Sequence, residues 1–308
     1  MIRKYVQPHL TVLICLTCLS LSAGASAVQG SFERKYQVSG PAQLEIDTGS
    51  WDVTVHKGPA GMVTVSGKIR VSDRWLNGGR TARVEDLQKN PPLRQDGNTI
   101  HVDHVSLNNI SVDYEITVPE NTRVHARTDS GDVKIADLRG DIDLESGSGD
   151  MWLENITGNI RTHSGSGDVQ GRAISGDFRS DASSGDIRLD QKSKANVEIH
   201  TGSGNIEASG VQGALQIEAS SGDVTVEGTP AGSWEARTGS GNIHLHTPAN
   251  AAFNLEASTS SGEIEVSHAV TMTVKGNLDA SRHAVNGTVG GGGPTVTVHT
   301  GSGDVDID

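Results

Sequence analysis

The sequence predicts an all-β chain whose larger part is a parallel β-solenoid (β-helix-like) with coils of about 18 residues, preceded by an irregular β N-terminal section. Three observations predict it: a glycine that returns every nine residues, strand-like alternation inside each unit, and a composition with 3% aromatics but 38 glycines in 308 residues. A globular enzyme buries large side chains around one core. A thin, repeated core of Ile, Val and Leu fits this composition better.

The glycine series runs through Gly131, Gly140, Gly149, Gly158, Gly167, Gly176 and Gly185 at nine-residue steps. It slips by one residue between Gly185 and Gly204, then resumes through Gly213, Gly222, Gly232 and Gly241. Alternate members are preceded by serine, as in Ser130-Gly131-Asp132-Val133 and Ser148-Gly149-Asp150-Met151, so the coil takes two units. Ser261-Gly262-Glu263-Ile264 and Ser302-Gly303-Asp304-Val305 carry the series to residue 308.

Within a unit, Ile142, Leu144 and Ser146 fall on one face and Asp141, Asp143 and Glu145 on the other. Ile187 and Leu189 oppose Asp186, Arg188 and Asp190 in the same way. Strands this short hold together when stacked at ~4.8 Å, which pairs their backbones and files the apolar side chains into one core. Glycine suits the corners, where φ turns positive or a neighbouring backbone comes close, and the adjoining Asp or Asn bonds nearby backbone N–H groups.

Ahead of the repeats, Arg3 and Lys4, the apolar run Leu10 to Leu21 and the triplet Ala25, Ser26, Ala27 read as a signal peptide cut after Ala27. The run is too short for a bilayer core, which needs roughly 20 residues, so no transmembrane segment is expected in the mature chain. Both cysteines, Cys15 and Cys18, lie in this leader, which leaves no disulfide for the mature protein. The section 28–127 reads as strands (Ala42 to Asp47, Trp51 to His56, Met62 to Val71, Thr99 to Asp103, Val112 to Val118) and one short helix, Arg80 to Gln88, ended by Asn90, Pro91 and Pro92. The expected organisation is a removed signal at 1–27, an irregular β cap at 28–127 and the repeat solenoid at 128–308.

The formal net charge is −13 and becomes more negative once Arg3 and Lys4 are removed. Such a surface repels nucleic acid and anionic lipid.

The SGD-[IV] series, Ile116-Thr117-Val118-Pro119 just ahead of it, and the run Gly290 to Gly293 followed by Thr295-Val296-Thr297-Val298 together resemble the bacterial putative adhesin family of β-strand repeats. The resemblance implies a secreted or envelope-associated β-solenoid of unknown function and carries over no catalytic residue.

Stacked corners place Asp132, Asp150, Asp168, Asp186 and Asp223 in a file with Asn205, Asn242 and Glu263, ~5 Å apart, where like charges repel unless screened or bridged. Calcium is the cation such oxygens would take. Calcium-binding β-roll repeats, however, place Asp two residues after Gly and the apolar residue two further on, whereas here the three are adjacent. The expectation is therefore backbone-capping carboxylates and no cofactor, with a calcium file as the lesser alternative. Ser148, Ser166, Ser203 and Ser240 recur in one frame, as do His163, His200 and His299 before their corners. A nucleophile needs one special environment, and repetition argues against it. His244 and His246 share an outward face without a third ligand in view. Trp234 falls at an inward position and Trp75 in a Gly-rich loop. Trp152 falls at an outward one and is the residue expected to touch a partner.

These readings lead to a non-catalytic exported module, periplasmic, cell-surface or extracellular, that binds or scaffolds an envelope protein or glycan. The alternative is a polysaccharide-active β-helix enzyme. That reading needs a non-repeating cluster of carboxylates, which the sequence does not display.

Overall fold

The structure, a computed structural model, describes residues 28–71, 78–104, 109–271 and 283–308. The predicted signal peptide with Cys15 and Cys18, and Trp75, lie outside the described residues. Among the described residues the chain forms strands throughout, apart from one helix, Gly78–Lys89. That helix brackets the predicted one and ends where Asn90 donates its backbone N–H to the Asp86 carbonyl ahead of Pro91 and Pro92. No helix among the described residues is long and apolar enough to cross a membrane.

The strands lie in two long sheets, of 13 and 14 strands. Each repeat contributes one strand to each sheet. Thr122–Thr128 turns at the Gly131 corner into Val133–Ala136 of the other sheet, and the Gly140 corner returns the chain to Ile142–Ser146 of the first. Ile142 pairs in parallel with Val124 behind it and Ile160 ahead, an offset of 18 residues each way. Where the glycine phase slips, the offset is 19: Phe178 pairs with Val197, and Leu215 with Trp234. The extra residues enter the turns after Gln191 and Gly228, so the inward files continue unbroken through Leu144, Ile199 and Ile217. Trp234 joins the file that holds Ile142 and Phe178. It is buried, with its indole Nε1 donating to the Gly213 carbonyl at 3.0 Å.

Two features depart from the order of the sequence. The section 28–127 contains a regular rung: Ala42–Thr48 stacks in register on Thr122–Thr128, and Val53–Lys57 on Val133–Ala136. The alignment sets Thr48-Gly49-Ser50-Trp51-Asp52-Val53 beside Thr128-Asp129-Ser130-Gly131-Asp132-Val133, so Trp51 stands where later rungs carry glycine. At the other end, the last rung in sequence, Thr295–Ser302 with Val305–Ile307, does not stack outermost. It inserts between Trp234–Ser240 with Ile243–His246 and Phe253–Ser261 with Ile264–Val266, pairing in parallel with both.

The remaining elements cover the ends. Ile110–Val118 pairs with Val53–Lys57 and is followed outward by antiparallel Met62–Val71 and Val28–Gln37, against which the helix lays Val84 and Leu87. The hairpin Leu93–Asp96 and Thr99–Val102 borders Ala42–Thr48, and Ala284–Val289 runs antiparallel along Phe253–Ser261. Bordering strands of this kind satisfy the backbone groups that the rungs beneath them would otherwise expose.

Candidate functional site

The corners come first, since they hold most of the polar residues that the repeat singles out. At Gly167 an added Cβ would lie 2.0 Å from the Gly149 carbonyl oxygen, and at Gly149 2.0 Å from that of Gly131. The rungs therefore approach too closely at this corner for any side chain. Beside each glycine the acidic residue performs one repeated task. The backbone N–H of Asp150 donates to Asp132 Oδ1 at 3.1 Å, that of Asp168 to Asp150 at 2.9 Å, and that of Asp186 to Asp168 at 2.8 Å. The ladder continues from Asp186 through Asn205, Asp223 and Asn242, then into Asp304 of the inserted rung. It begins at Asp52, whose Oδ1 accepts from the Asp132 N–H. One oxygen of each of Asp132, Asp150, Asp168, Asp186 and Asp223 is thus engaged by backbone. Among the described residues no three His, Asp or Glu side chains converge to hold a metal ion.

Beneath the corners a second, buried file of hydroxyls closes the turns. Ser146 Oγ accepts the Gly149 N–H at 2.8 Å, and Ser164 Oγ that of Gly167 at 2.9 Å. The corner serines Ser148, Ser166, Ser203 and Ser240 are exposed. The hydroxyls that the repeat makes conspicuous divide between these two structural positions.

Individual character lies on the outer faces. On the sheet that carries Met151–Glu154, Trp152 is half-buried, in register with Lys134 and Gln170, and the Lys134 ammonium sits 4.5 Å from its ring centroid. Farther along that face His244 lies 3.8 Å from Asp306, and His246 is hydrogen-bonded to Asp308. Both histidines therefore have carboxylate partners, drawn from the inserted rung.

On the opposite sheet, basic and acidic side chains pair from rung to rung. His125 lies 3.6 Å from Asp143, Arg127 3.5 Å from Glu145, and His200 3.6 Å from Glu218. Arg179 contacts Asp181 at 3.2 Å and Glu198 at 2.6 Å, and these carboxylates, Asp181 foremost, raise its guanidinium above the ordinary arginine value. At the leading end of this face lies a shallow depression of about 300 Å³, bordered by Gln43, Arg123, His125, Asp141, Asp143, Asn159 and Arg161. No single sequence motif announces it, because its residues come from four separate rungs, with Gln43, Arg123, Asp141 and Asn159 aligned in one column and His125, Asp143 and Arg161 in another. The register alone brings them together.

A family profile described as Toastrack DUF4097 matches residues 42–308. The chain belongs to this Toastrack family. The match opens at Ala42, the first residue of the first rung, so the Toastrack span takes in the rung at 42–57 as well as the glycine series. Among solved structures, the chain is similar to a putative adhesin from Bacteroides fragilis NCTC 9343, with 14% identity, a TM-score of 0.42, and coverage of 92% of this chain and 100% of that one. It is also similar to a putative cell adhesion protein from Clostridium sporogenes ATCC 15579, with 12% identity, a TM-score of 0.22, and coverage of 90% and 98%. No curated protein matches it.

Proposed function

We propose that this Toastrack chain is a non-catalytic, exported module of the cell envelope or surface whose outer sheet faces bind or scaffold a partner. One observation carries the reading. The repeated Asp and Gly residues hold one rung to the next and the buried serines close each turn, so the residues that differ from rung to rung, and can encode recognition, are those of the flat outer columns. The leader from Arg3 to Ala27 supports export. Trp152, half-buried beside Lys134, is an aromatic anchor of the kind that binding faces use, and a glycan or envelope protein is the partner class it suits.

The test is a panel of envelope polysaccharides offered to the purified protein, with bound ligand and released reducing ends measured side by side. Saturable binding without release is expected, weakened by Trp152→Ala for ligands that lie on that face. Release of reducing ends that a single substitution abolishes would overturn the proposal in favour of a polysaccharide-active enzyme.

A further inference from the structure

Arg161 breaks the pairing rule of its face. In register it lies between Asp143 on one side and Arg179 on the other. Asp143 is taken by His125 at 3.6 Å, and Arg179 is already engaged by Asp181 and Glu198. Arg161 itself is exposed and makes no ion pair or hydrogen bond with the described residues. Two guanidinium groups in directly opposed positions one rung apart are unfavourable unless something negative joins them. In a chain of formal net charge −13, acidic side chains are abundant enough to have supplied that partner. None stands there.

The unpartnered guanidinium borders the depression at the leading end of the sheet, with Arg123 on the same rim. Arg123 Nε is 3.9 Å from Asp141 Oδ2, and Asp141 Oδ1 already accepts the Asn159 N–H at 3.1 Å, so this second cation is only loosely held. Between the two arginines lie carboxylates that accept hydrogen bonds and the amides of Gln43 and Asn159, which both donate and accept. A phosphate-rich ligand, with up to two charges on each group, is repelled by Asp141 and Asp143 more strongly than a group with a single charge. A sugar ring, which presents hydroxyls to acceptors and one carboxylate to a guanidinium, matches every group on the rim. The volume lies at the small end of ligand pockets, and the open, flat setting admits a polymer lying along the sheet.

We propose that the depression formed by Arg123, Asp143, Asn159 and Arg161 binds a carboxylate-bearing saccharide, with Arg161 as the anion anchor. This inference rests on the binding reading above and places the ligand on the sheet opposite Trp152. The probes are an oligogalacturonate of defined length, its methyl-esterified counterpart and dextran sulfate, titrated by calorimetry into the wild-type protein and its Arg161→Gln and Trp152→Ala variants. The expected result is binding of the free acid that weakens with added salt and falls by about tenfold or more in Arg161→Gln. Arg161 is exposed, so equal melting temperatures of the variant and the wild type are expected and exclude a folding defect. Equal binding of the methyl ester overturns the role of the carboxylate, and tighter binding of dextran sulfate than of the free acid reassigns the anion to sulfate. Undiminished binding in Arg161→Gln overturns the site, and if Trp152→Ala alone is then defective the binding reading survives on the other face. Failure of all three probes overturns this inference while leaving the envelope-polysaccharide panel to decide the broader one.

Discussion

The backbone N–H of Asp186 donates to the carboxylate of Asp168 at 2.8 Å, one rung away, and this contact explains why an acidic chain tolerates a file of aspartates. Each carboxylate is held by a hydrogen bond from the backbone beyond it, which offsets the repulsion along the file. Asn205 and Asn242 occupy the same position with an amide oxygen as acceptor, so the position calls for an acceptor and not for a charge.

The first prediction follows from that distinction. Asp168→Asn keeps the acceptor and is expected to change unfolding free energy by less than about 0.5 kcal/mol, whereas Asp168→Ala removes it and is expected to cost about 1 kcal/mol. Denaturant titration of the three proteins checks this. Repeating the melts with and without calcium separates a second possibility: a calcium-dependent rise in the wild type that Asp168→Asn abolishes would assign the file to a cation.

Glycine substitutions are expected to divide by mechanism. Gly167→Ala would set a Cβ 2.0 Å from a backbone oxygen in the middle of the stack, where neither rung can retreat without breaking the pairing on both sides. A loss of at least about 3 kcal/mol is expected. Gly97, in the hairpin turn at Asp96 to Thr99, has φ of 58° and open space around it, so Gly97→Ala meets only backbone strain of about 1 kcal/mol. Comparable losses in both variants would contradict the close-approach account of the corner.

How far the fold could be read in advance depended on whether a contact repeats. The rungs from Gly131 to Gly241 were legible because the close approach that excludes a side chain recurs at each corner and leaves the same mark each time. The rung at 42–57 was not, since Trp51 replaces the glycine. Gly131 must avoid the Trp51 carbonyl, but Trp51 opens this file of corners and packs its own ring on Tyr114, with centroids 5.9 Å apart. The inserted last rung was equally hidden. Its sequence matches any other rung, and nothing local says that Val296 pairs with both Trp234 and Leu255. For the same reason the carboxylate partners of His244 and His246, 62 residues away, escaped notice. The outward position of Trp152 was readable from alternation alone, whereas the isolation of Arg161 depends on what His125 and Arg179 do in neighbouring rungs.

The inserted rung supplies the third prediction. Val296, Val298, Val305 and Ile307 are all buried between the rungs at 234–246 and 253–266, so deleting residues 294–308 opens a gap inside the stack. Hydrogen exchange is expected to show lost protection across Phe253–Ser261 and retained protection at Phe178–Ser184, because stacked repeats transmit stability chiefly to nearest neighbours. Full protection of Phe253–Ser261 in the truncated protein would mean that the outer rung closes directly onto Trp234–Ser240, and the inserted rung would then be dispensable.

The last prediction concerns Tyr114, whose side chain is 2% exposed and whose hydroxyl has no hydrogen-bond partner among the described residues. Its ring packs against Phe32 and Trp51, with centroids 6.2 and 5.9 Å away, so the apolar part is well placed and the oxygen alone is costly. Tyr114→Phe keeps the ring and removes the unpaired group, and is expected to leave stability at pH 7 unchanged or raised by about 1 kcal/mol. The two proteins should diverge in alkali. Burial, and secondarily the negative charge of Asp103, push the Tyr114 hydroxyl well above its ordinary value of 10.0, so the folded state holds the proton more tightly than the unfolded chain does. Where the folded chain binds more protons than the unfolded one, stability falls as pH rises. The contribution from this tyrosine is therefore complete below pH 10.0 and is lost progressively above it, on the way to the folded-state value. Chemical denaturation at pH 9 and pH 11 checks the sign, with the wild type expected to lose more stability over that interval than Tyr114→Phe. Parallel losses in the two proteins would show that the hydroxyl reaches water and that the end of the stack at Ile110–Val118 is looser than its packing indicates.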